Sequence, residues 1–399
     1  MKNFPKIPPE EFKLRIQSFK EIMDRENIDL VMAYSNLLDP SAVRYFSDFY
    51  PIVESAAIII PLKGDPILCS GQACSAWSKH KAESKIDDIR VFPEVGEISG
   101  AEYDLEGQLD FSNMFEELRS KYDIKKIGTI GDIIFPHSIY KKLENVFPDV
   151  EKVSAEALIY ELRKIKSANE IECIKKASQI MDDTFEYAIQ RIKPGVTELD
   201  IQADIEGQML RLGAEAHCIG FAPMAPSGLQ NTNLIMNRNT LRKVKESEII
   251  NPASGTLYEG YNAVICTPVV LGKIPTALGD AIKVCHEVKN YQAAAMKPGI
   301  TSQQLFKIYN DYLEKKGYIK FLSPYGAAHS TGLLECESPC FQDSNLDILM
   351  EENMALCIDA FLTGLPGGSL RIEDTYIIRK DGAELLTKFN QEYIPETFN

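Results

Sequence analysis

The sequence predicts an α+β chain in two domains, and three observations carry that expectation. The first is alternation. Before about residue 157, short β-branched runs alternate with amphipathic helical stretches, as in a small α/β domain. The second is a repeat: "KPGVTELDIQADIEGQMLRLGA" from Lys193 and "KPGITSQQLFKIYNDYLEKKGY" from Lys297 share Lys-Pro-Gly, a β-branched residue, a Thr N-cap and an amphipathic helix ending in Gly. The third is the set of β segments between and after these helices, which implies helices packed on a largely antiparallel sheet.

Residues from about Pro9 to Asn27 read as a helix. "IDLVMAYS", "AAIIIPL", "DPILCS" and "IKKIGTIG" then read as strands of a first domain, assigned to 1–157. The second domain, 158–399, opens on a long amphipathic pattern that breaks into two helices around Ser167, whose hydroxyl is a natural N-cap ahead of Glu170. The spaced repeat implies two similar halves related by a pseudo-two-fold, with a site where they meet; the alternative is a coincidence of helix-start chemistry. "GTLYEGYNAVICTPVVLG", Gly255 to Gly272, reads as a tight hairpin whose second arm carries no acidic or basic side chain. "EIINPAS", "MALCIDAFLT" and "SLRIEDTYIIRKDGAELLT" supply further strands.

Composition narrows the function. At 399 residues and 45% hydrophobic content there is material for two cores. The 58 acidic against 43 basic residues, a net charge of −15, would repel phosphate backbones and anionic lipid, so neither nucleic acid nor a membrane is an expected partner. "MKNFPKIPPEEFKLR" has no signal-type apolar segment, and no run approaches the roughly 20 apolar residues that span a bilayer, so a cytoplasmic location is expected. Nine cysteines without a CxxC pair indicate neither a disulfide framework nor a zinc knuckle, and most read as small buried hydrophobes.

"LRKIKSANEIECIKKA", "VRYFSDF", "SGLQNTN" before "LRKV", "AAHSTG", and "GLPGGSLRIEDTYII" followed by "DGAELLTKF" resemble, in order and spacing along the whole chain, the superfamily of aminopeptidase P, prolidase and creatinase. The resemblance implies a pita-bread catalytic domain behind a smaller creatinase-type N-terminal domain. It also implies a homodimer in which the N-terminal domain of one subunit reaches the site of the other, with "VRYFSDFY" and Glu54 near that pocket. The metallopeptidases of the superfamily bind two metal ions through two Asp, one His and two Glu. Alignment places Ala253 and Val264 at the two Asp positions and His329, Asp359 and Glu373 at the other three. Neither Ala nor Val ligates a metal, so no dinuclear metal site and no cofactor are expected; a mononuclear site on His329, Asp359 and Glu373 stays open.

Creatinase, the metal-independent member, shares "GLPG", the His-Ser-x-Gly at His329 and apolar residues at the lost Asp positions. The expected function is therefore a metal-independent hydrolase of the creatinase type, cleaving a C–N bond in a small nitrogen-containing substrate. Creatine itself is not expected. The proton-shuttling His of creatinase falls on Met236, its hairpin Glu on Ile265, and the arginines that clamp creatine's carboxylate have no counterpart. Two alternatives stand beside this reading: an Xaa-Pro peptidase-like metallohydrolase with a degraded or mononuclear metal site, and a non-catalytic pita-bread binding protein.

The candidate catalytic residues are His329, Asp359 and Glu373. Paired carboxylates in an apolar pocket separate their pKa values, so one can act as base and the other as acid; the alternative is that Glu373 and Arg371 form a structural ion pair. His329 lies in a glycine-bearing loop, suited to orient a carbonyl or donate a proton. His217, on a strand that borders the site in relatives, is the candidate to replace the missing shuttle. With His217, the expected substrate-binding residues are Phe221, Asn262, Glu335, Cys336, Glu337 and Arg371. Cys336 stands where relatives carry a second His. The carboxylates of Glu335, Glu337, Asp359 and Glu373 imply a cationic or amide-like small molecule. Asn231, Asn233, Asn237 and Asn239 read as turn formers for the most part, with substrate hydrogen bonding as the alternative.

Overall fold

The computed structural model describes residues 4–80, 84–97, 110–219, 221–228, 238–323, 328–339, 346–366 and 368–392. Met236, Asn231, Asn233 and Asn237 lie outside them. The chain separates into two compact units, one of Ile7–Arg163 and one of Lys164–Asn399 with Met1–Lys6.

The first unit comprises α1 (Pro9–Arg25), β1 (Leu30–Ser35), α2 (Ser41–Ser47), β2 (Ala56–Pro61), β3 (Ile67–Ser70), α3 (Ser75–Ser78), β4 (Asp88–Val91), α4 (Phe111–Lys121), β5 (Lys126–Ile130), α5 (His137–Val146), β6 (Glu151–Ser154) and α6 (Glu156–Arg163). Its sheet runs β4-β3-β2-β1-β5-β6. The β1–β2 and β2–β3 pairs are antiparallel, whereas β3–β4, β1–β5 and β5–β6 are parallel. "LVMAYS" and "AAIIIP" are buried at every residue, which explains their apolar runs: strands covered on both faces need no polar alternation. The expected division at 157/158 falls inside α6, and the units divide after it. The reason is local: Ile159 and Arg163 are buried, and Arg163 Nη1 donates to Ser41 Oγ at 2.9 Å, tying the helix to α2.

The second unit comprises α7 (Ala168–Ile189), α8 (Glu198–Leu212), β7 (Ala216–His217), β8 (Glu248–Ile250), β9 (Ala253–Tyr258), β10 (Tyr261–Cys266), β11 (Val269–Leu271), α9 (Thr276–Ala295), α10 (Ser302–Lys316), β12 (Ala328–Ser330), β13 (Ala355–Leu365), β14 (Gly368–Arg379), β15 (Gly382–Leu385) and α11 (Phe389–Glu392). Its main sheet runs β12-β13-β14-β10-β9-β7, with β15 on β14, and β8 pairs with β11. Pairing throughout is antiparallel, which gives the α+β class the sequence predicts.

Local chemistry sets these boundaries. Ser167 and Glu170 close a capping box at the start of α7. The two halves of the repeat fold alike. Thr197 caps α8 against Asp200 and Thr301 caps α10 against Gln304, while Gly213 and Gly317 end the helices at φ of 101° and 78°. Gly195 N–H donates to Val244 O and Gly299 N–H to Met350 O, so both Lys-Pro-Gly turns dock on a neighbouring segment. The hairpin turns through Glu259 and Gly260 at φ of 49° and 82°, a two-residue loop with both residues left-handed, which matches the twist of β9 and β10.

One face of the main sheet is apolar. Ala360, Leu362, Leu370 and Ile372 pack on Leu278, Ile282, Tyr309 and Leu313 of α9 and α10, and Leu356, Ile358, Tyr376 and Ile378 pack on Met296 and Leu305. The residues between them in sequence point to the other face. Among the described residues no helix is long and apolar enough to cross a membrane.

Candidate functional site

Strand register assembles the site. His329 on β12 pairs with Cys357 on β13, which pairs with Thr375 on β14. In the next row Asp359 pairs with Glu373, Glu373 with Cys266 on β10, and Cys266 with Ala253 on β9. Val264 pairs with Gly255. Because side chains alternate along a strand, all of these and Arg371 share the face turned away from α9 and α10. Gly255 is required there, since a Cβ would lie 2.5 Å from Cys218 Sγ.

Glu373 is the centre of the cluster. Its Oε1 lies 3.0 Å from His329 Nε2, and its Oε2 lies 2.9 Å from Arg371 Nη2 and accepts from Cys266 Sγ at 3.1 Å. Arg371 Nε donates to Asp359 Oδ2 at 2.9 Å, so one guanidinium bridges both carboxylates. The Phe221 and Phe361 rings lie 5.0 and 5.7 Å from that guanidinium. His329 Nδ1 lies 3.2 Å from Ser330 O, and Glu335 Oε1 lies 3.4 Å from His329 Nε2. Asp359 is 2% and Glu373 0% exposed, and Asp359 Oδ1 has no hydrogen-bond partner among the described residues.

Burial and mutual charge set the protonation pattern. Burial alone would lower the His329 imidazole, but the Glu335 and Glu373 carboxylates outweigh it and raise it to about 10. Burial would raise Glu373, yet the Arg371 guanidinium and the His329 hydrogen bond hold it below the usual carboxylate range. Asp359 is pushed up by burial, with Arg371 offsetting part of the effect. Glu335 is raised for the same primary reason. These shifts favour an imidazolium against an ionised Glu373, with a second carboxyl that protonates more readily.

The structure brings together His329, Asp359, Glu373, Arg371, Phe221 and Glu335. The Glu373–Arg371 ion pair weighed from sequence is present, within the cluster and not apart from it. Asn262 shares the face and pins the loop after β12: its backbone N–H and its Nδ2 both donate to Gly332 O at 2.8 Å. Two expectations, those for His217 and Glu337, need correction. His217 pairs with Thr256, which alternates with Gly255 and so faces away from the cluster; its Nδ1 lies 3.4 Å from Glu206 of α8. Cys336 is exposed. Glu337 is buried and engaged in holding its own loop, with Oε1 2.6 Å from Lys166 Nζ and Oε2 accepting from Leu333 N–H. Asn239, the described member of the asparagine group, accepts from Ala225 N–H and donates to Gln202 Oε1 and Pro223 O. Cys357 was missed. It stands two residues before Asp359 in a strand, so period-2 alternation alone puts it on the same face.

The donors do not fit two ions. Ala253 and Val264 occupy the face where the resemblance expects two Asp, and they offer only aliphatic carbon. Arg371 already bridges Asp359 and Glu373, so these two carboxylates are not both free to hold a pair of ions.

A small mixed-sheet α/β unit and an antiparallel sheet that carries polar residues on the face away from its helices define a pita-bread chain with a separate N-terminal domain. Residues 172–380 match metallopeptidase family M24, and residues 15–165 match the creatinase/prolidase N-terminal domain. The chain belongs to metallopeptidase family M24. It is similar to the Xaa-Pro dipeptidase of Pyrococcus furiosus, at 26% identity over 96% of this chain and 100% of that protein. Among solved structures it resembles an Xaa-Pro dipeptidase from Bacillus anthracis, with a TM-score of 0.81 at 21% identity over 97% of this chain and 99% of that one. It also resembles the prolidase from Pyrococcus horikoshii OT3, with a TM-score of 0.79 at 24% identity over 96% and 99%.

Proposed function

We propose that this chain is a hydrolase of the Xaa-Pro peptidase type, cleaving the amide C–N bond of a small peptide-like substrate. This replaces the creatinase-type reading, because relatives matched over nearly the full chain are Xaa-Pro dipeptidases. The observation that carries it is the hydrogen-bonded register of His329, Asp359 and Glu373 on one sheet face of an M24 catalytic domain.

The roles follow from the contacts. Glu373 is held as an anion by Arg371 and His329 and anchors the cluster. Asp359 has a buried oxygen, Oδ1, with no hydrogen bond among the described residues, placed to take a proton from an attacking water and return it to the departing nitrogen. Arg371 fixes Asp359 through Oδ2 and so aims Oδ1. No step is routed through a pair of metal ions, since Ala253 and Val264 cannot hold one.

The test is hydrolysis of a panel of Xaa-Pro dipeptides, other dipeptides and guanidino compounds. Turnover concentrated on Xaa-Pro substrates, lost at least ~100-fold in Asp359→Asn and Glu373→Gln, is expected from the weight of one general acid–base group. Hydrolysis of no Xaa-Pro dipeptide under any ion condition sinks the reading. A second reading, metal-independent hydrolysis of a small nitrogen compound, rests on the loss of both Asp donors; chelator-resistant turnover of a guanidino or amidine compound would favour it.

A further inference from the structure

We propose that His329 Nε2, Cys357 Sγ and the Glu373 carboxylate form a mononuclear site for one borderline-soft divalent ion of the zinc class. The site departs from the two-ion centre that the resemblance implies, because it holds one ion and takes a thiolate from a position to which the resemblance gives no role. It requires only the placement of these three side chains and does not depend on the peptidase reading.

Five arguments converge. The ligand atoms of the three residues all lie within 4.8 Å of one another, and all three side chains are buried. Tetrahedral ligands at bond lengths of about 2.0–2.3 Å stand roughly 3.3–3.8 Å apart, so small rotamer adjustments close the set. His329 and Cys357 are direct cross-strand partners, and Glu373 lies in the adjacent row, so the sheet itself pre-positions the donors.

Each donor also has an outer partner that aims it. His329 Nδ1 is engaged with Ser330 O at 3.2 Å, which turns Nε2 toward the site. Cys357 Sγ lies 3.6 Å from Thr375 Oγ1. Glu373 Oε2 is held by Arg371 and Cys266, leaving Oε1 to bind.

Charge balances as well. A neutral imidazole, a thiolate and a carboxylate compensate a dication, while Arg371 and Asp359 compensate each other. Binding displaces two protons to solvent, the one between His329 Nε2 and Glu373 Oε1 and the one on the Cys357 thiol. Finally, the donor set selects the ion. With both Asp oxygens replaced by Ala253 and Val264, and a sulfur in reach, the site disfavours the hard, oxygen-seeking ions and favours zinc or cobalt. Three protein ligands leave a fourth position open, the pattern of a catalytic rather than a structural zinc site.

The test uses the full-length protein, stripped by chelation and titrated with Co2+ and Zn2+. One ion per chain is expected by elemental analysis, with a thiolate-to-cobalt charge-transfer band in the near ultraviolet. Cys357→Ser abolishes the band and weakens cobalt by more than the roughly 10–100-fold that loss of an outer partner costs, whereas Thr375→Val weakens it within that range. Cys336→Ser, at an exposed position, leaves both unchanged. Folding of each variant is checked by circular dichroism, and where Cys357→Ser does not fold, absence of the band in the unsubstituted protein overturns the site. Uptake of two ions, preference for Mn2+ over Zn2+, or a band that survives in Cys357→Ser overturns it too. Ion binding without Xaa-Pro hydrolysis keeps the site and sinks the peptidase reading; hydrolysis with no ion bound does the reverse.

Discussion

The face of the first unit's sheet that packs on α4 and α5 presents Leu30, Met32, Ile59, Ile67 and Ile127 to Phe111, Phe115, Leu118, Ile139 and Leu143. The inner face of the second unit's sheet presents His329, Cys357, Asp359, Arg371 and Glu373, which are just as deeply buried or nearly so. The two faces differ in what burial does. Each large apolar side chain taken from water stabilises the fold by about 1.5–3 kcal/mol. Each buried ion instead carries a desolvation cost of several kcal/mol, which its partners offset without a clear surplus. A face that carries ionisable groups at four neighbouring positions is shaped by chemistry more than by stability. The same unit does hold a structural ion pair: Lys289 of α9 meets Asp374, whose neighbour Thr387 Oγ1 donates to it at 3.1 Å, on the side opposite the cluster.

The largest effect that separates the faces comes from Glu373. Glu373→Gln removes the anion shared by Arg371 and His329, and stability is expected to fall by about 3–5 kcal/mol, as when one partner of a buried ionic network is lost. Activity and ion uptake are lost with it. Chemical denaturation combined with the cobalt titration checks this; an unchanged midpoint would mean that the cluster is solvated in solution. Phe115→Ala on the apolar face is expected to cost a comparable 3–5 kcal/mol through the cavity it leaves. It differs in the second readout: cobalt stoichiometry and turnover per folded molecule stay at the unsubstituted level. Loss of ion binding in Phe115→Ala would erase the distinction between the two regions.

Much of this was legible before the structure. The capping box at Ser167, the paired Lys-Pro-Gly helix starts and the Glu259-Gly260 turn are local chemistry, written within four or five residues. The adjacency of Asp359 and Glu373 also followed, since the two strands form consecutively. What failed is non-local. His217 was placed by its strand, but which face it points to depends on register with β9, and a shift of one residue reverses the answer. Glu337 looked available because the sequence does not reveal that Lys166, far upstream, is buried against it. Cys357 was hidden by the prior that an isolated cysteine is a small hydrophobe; the alternation that pairs it with Asp359 was present in "LCIDAF" and went unused.

The smallest effect sharpens the comparison within α9, which carries a buried titratable group. Burial, and then the charge of Lys289 one turn away, lower the His286 imidazole from 6.5 to about 4, and its Nε2 has no hydrogen-bond partner among the described residues. A depressed base is neutral in the fold and binds its proton more readily when unfolded. Its contribution to stability is therefore complete above pH 6.5 and is lost progressively as pH falls toward 4. The expected loss between pH 7 and pH 5 is about 2 kcal/mol for this single group, from a shift worth 1.36 kcal/mol per pKa unit. Urea denaturation of the unsubstituted protein and of His286→Gln across that range isolates it: the curve of the variant should be flatter by about that amount. Parallel curves would show that the imidazole finds a partner or water in solution and adds no pH dependence to the stability of the second unit.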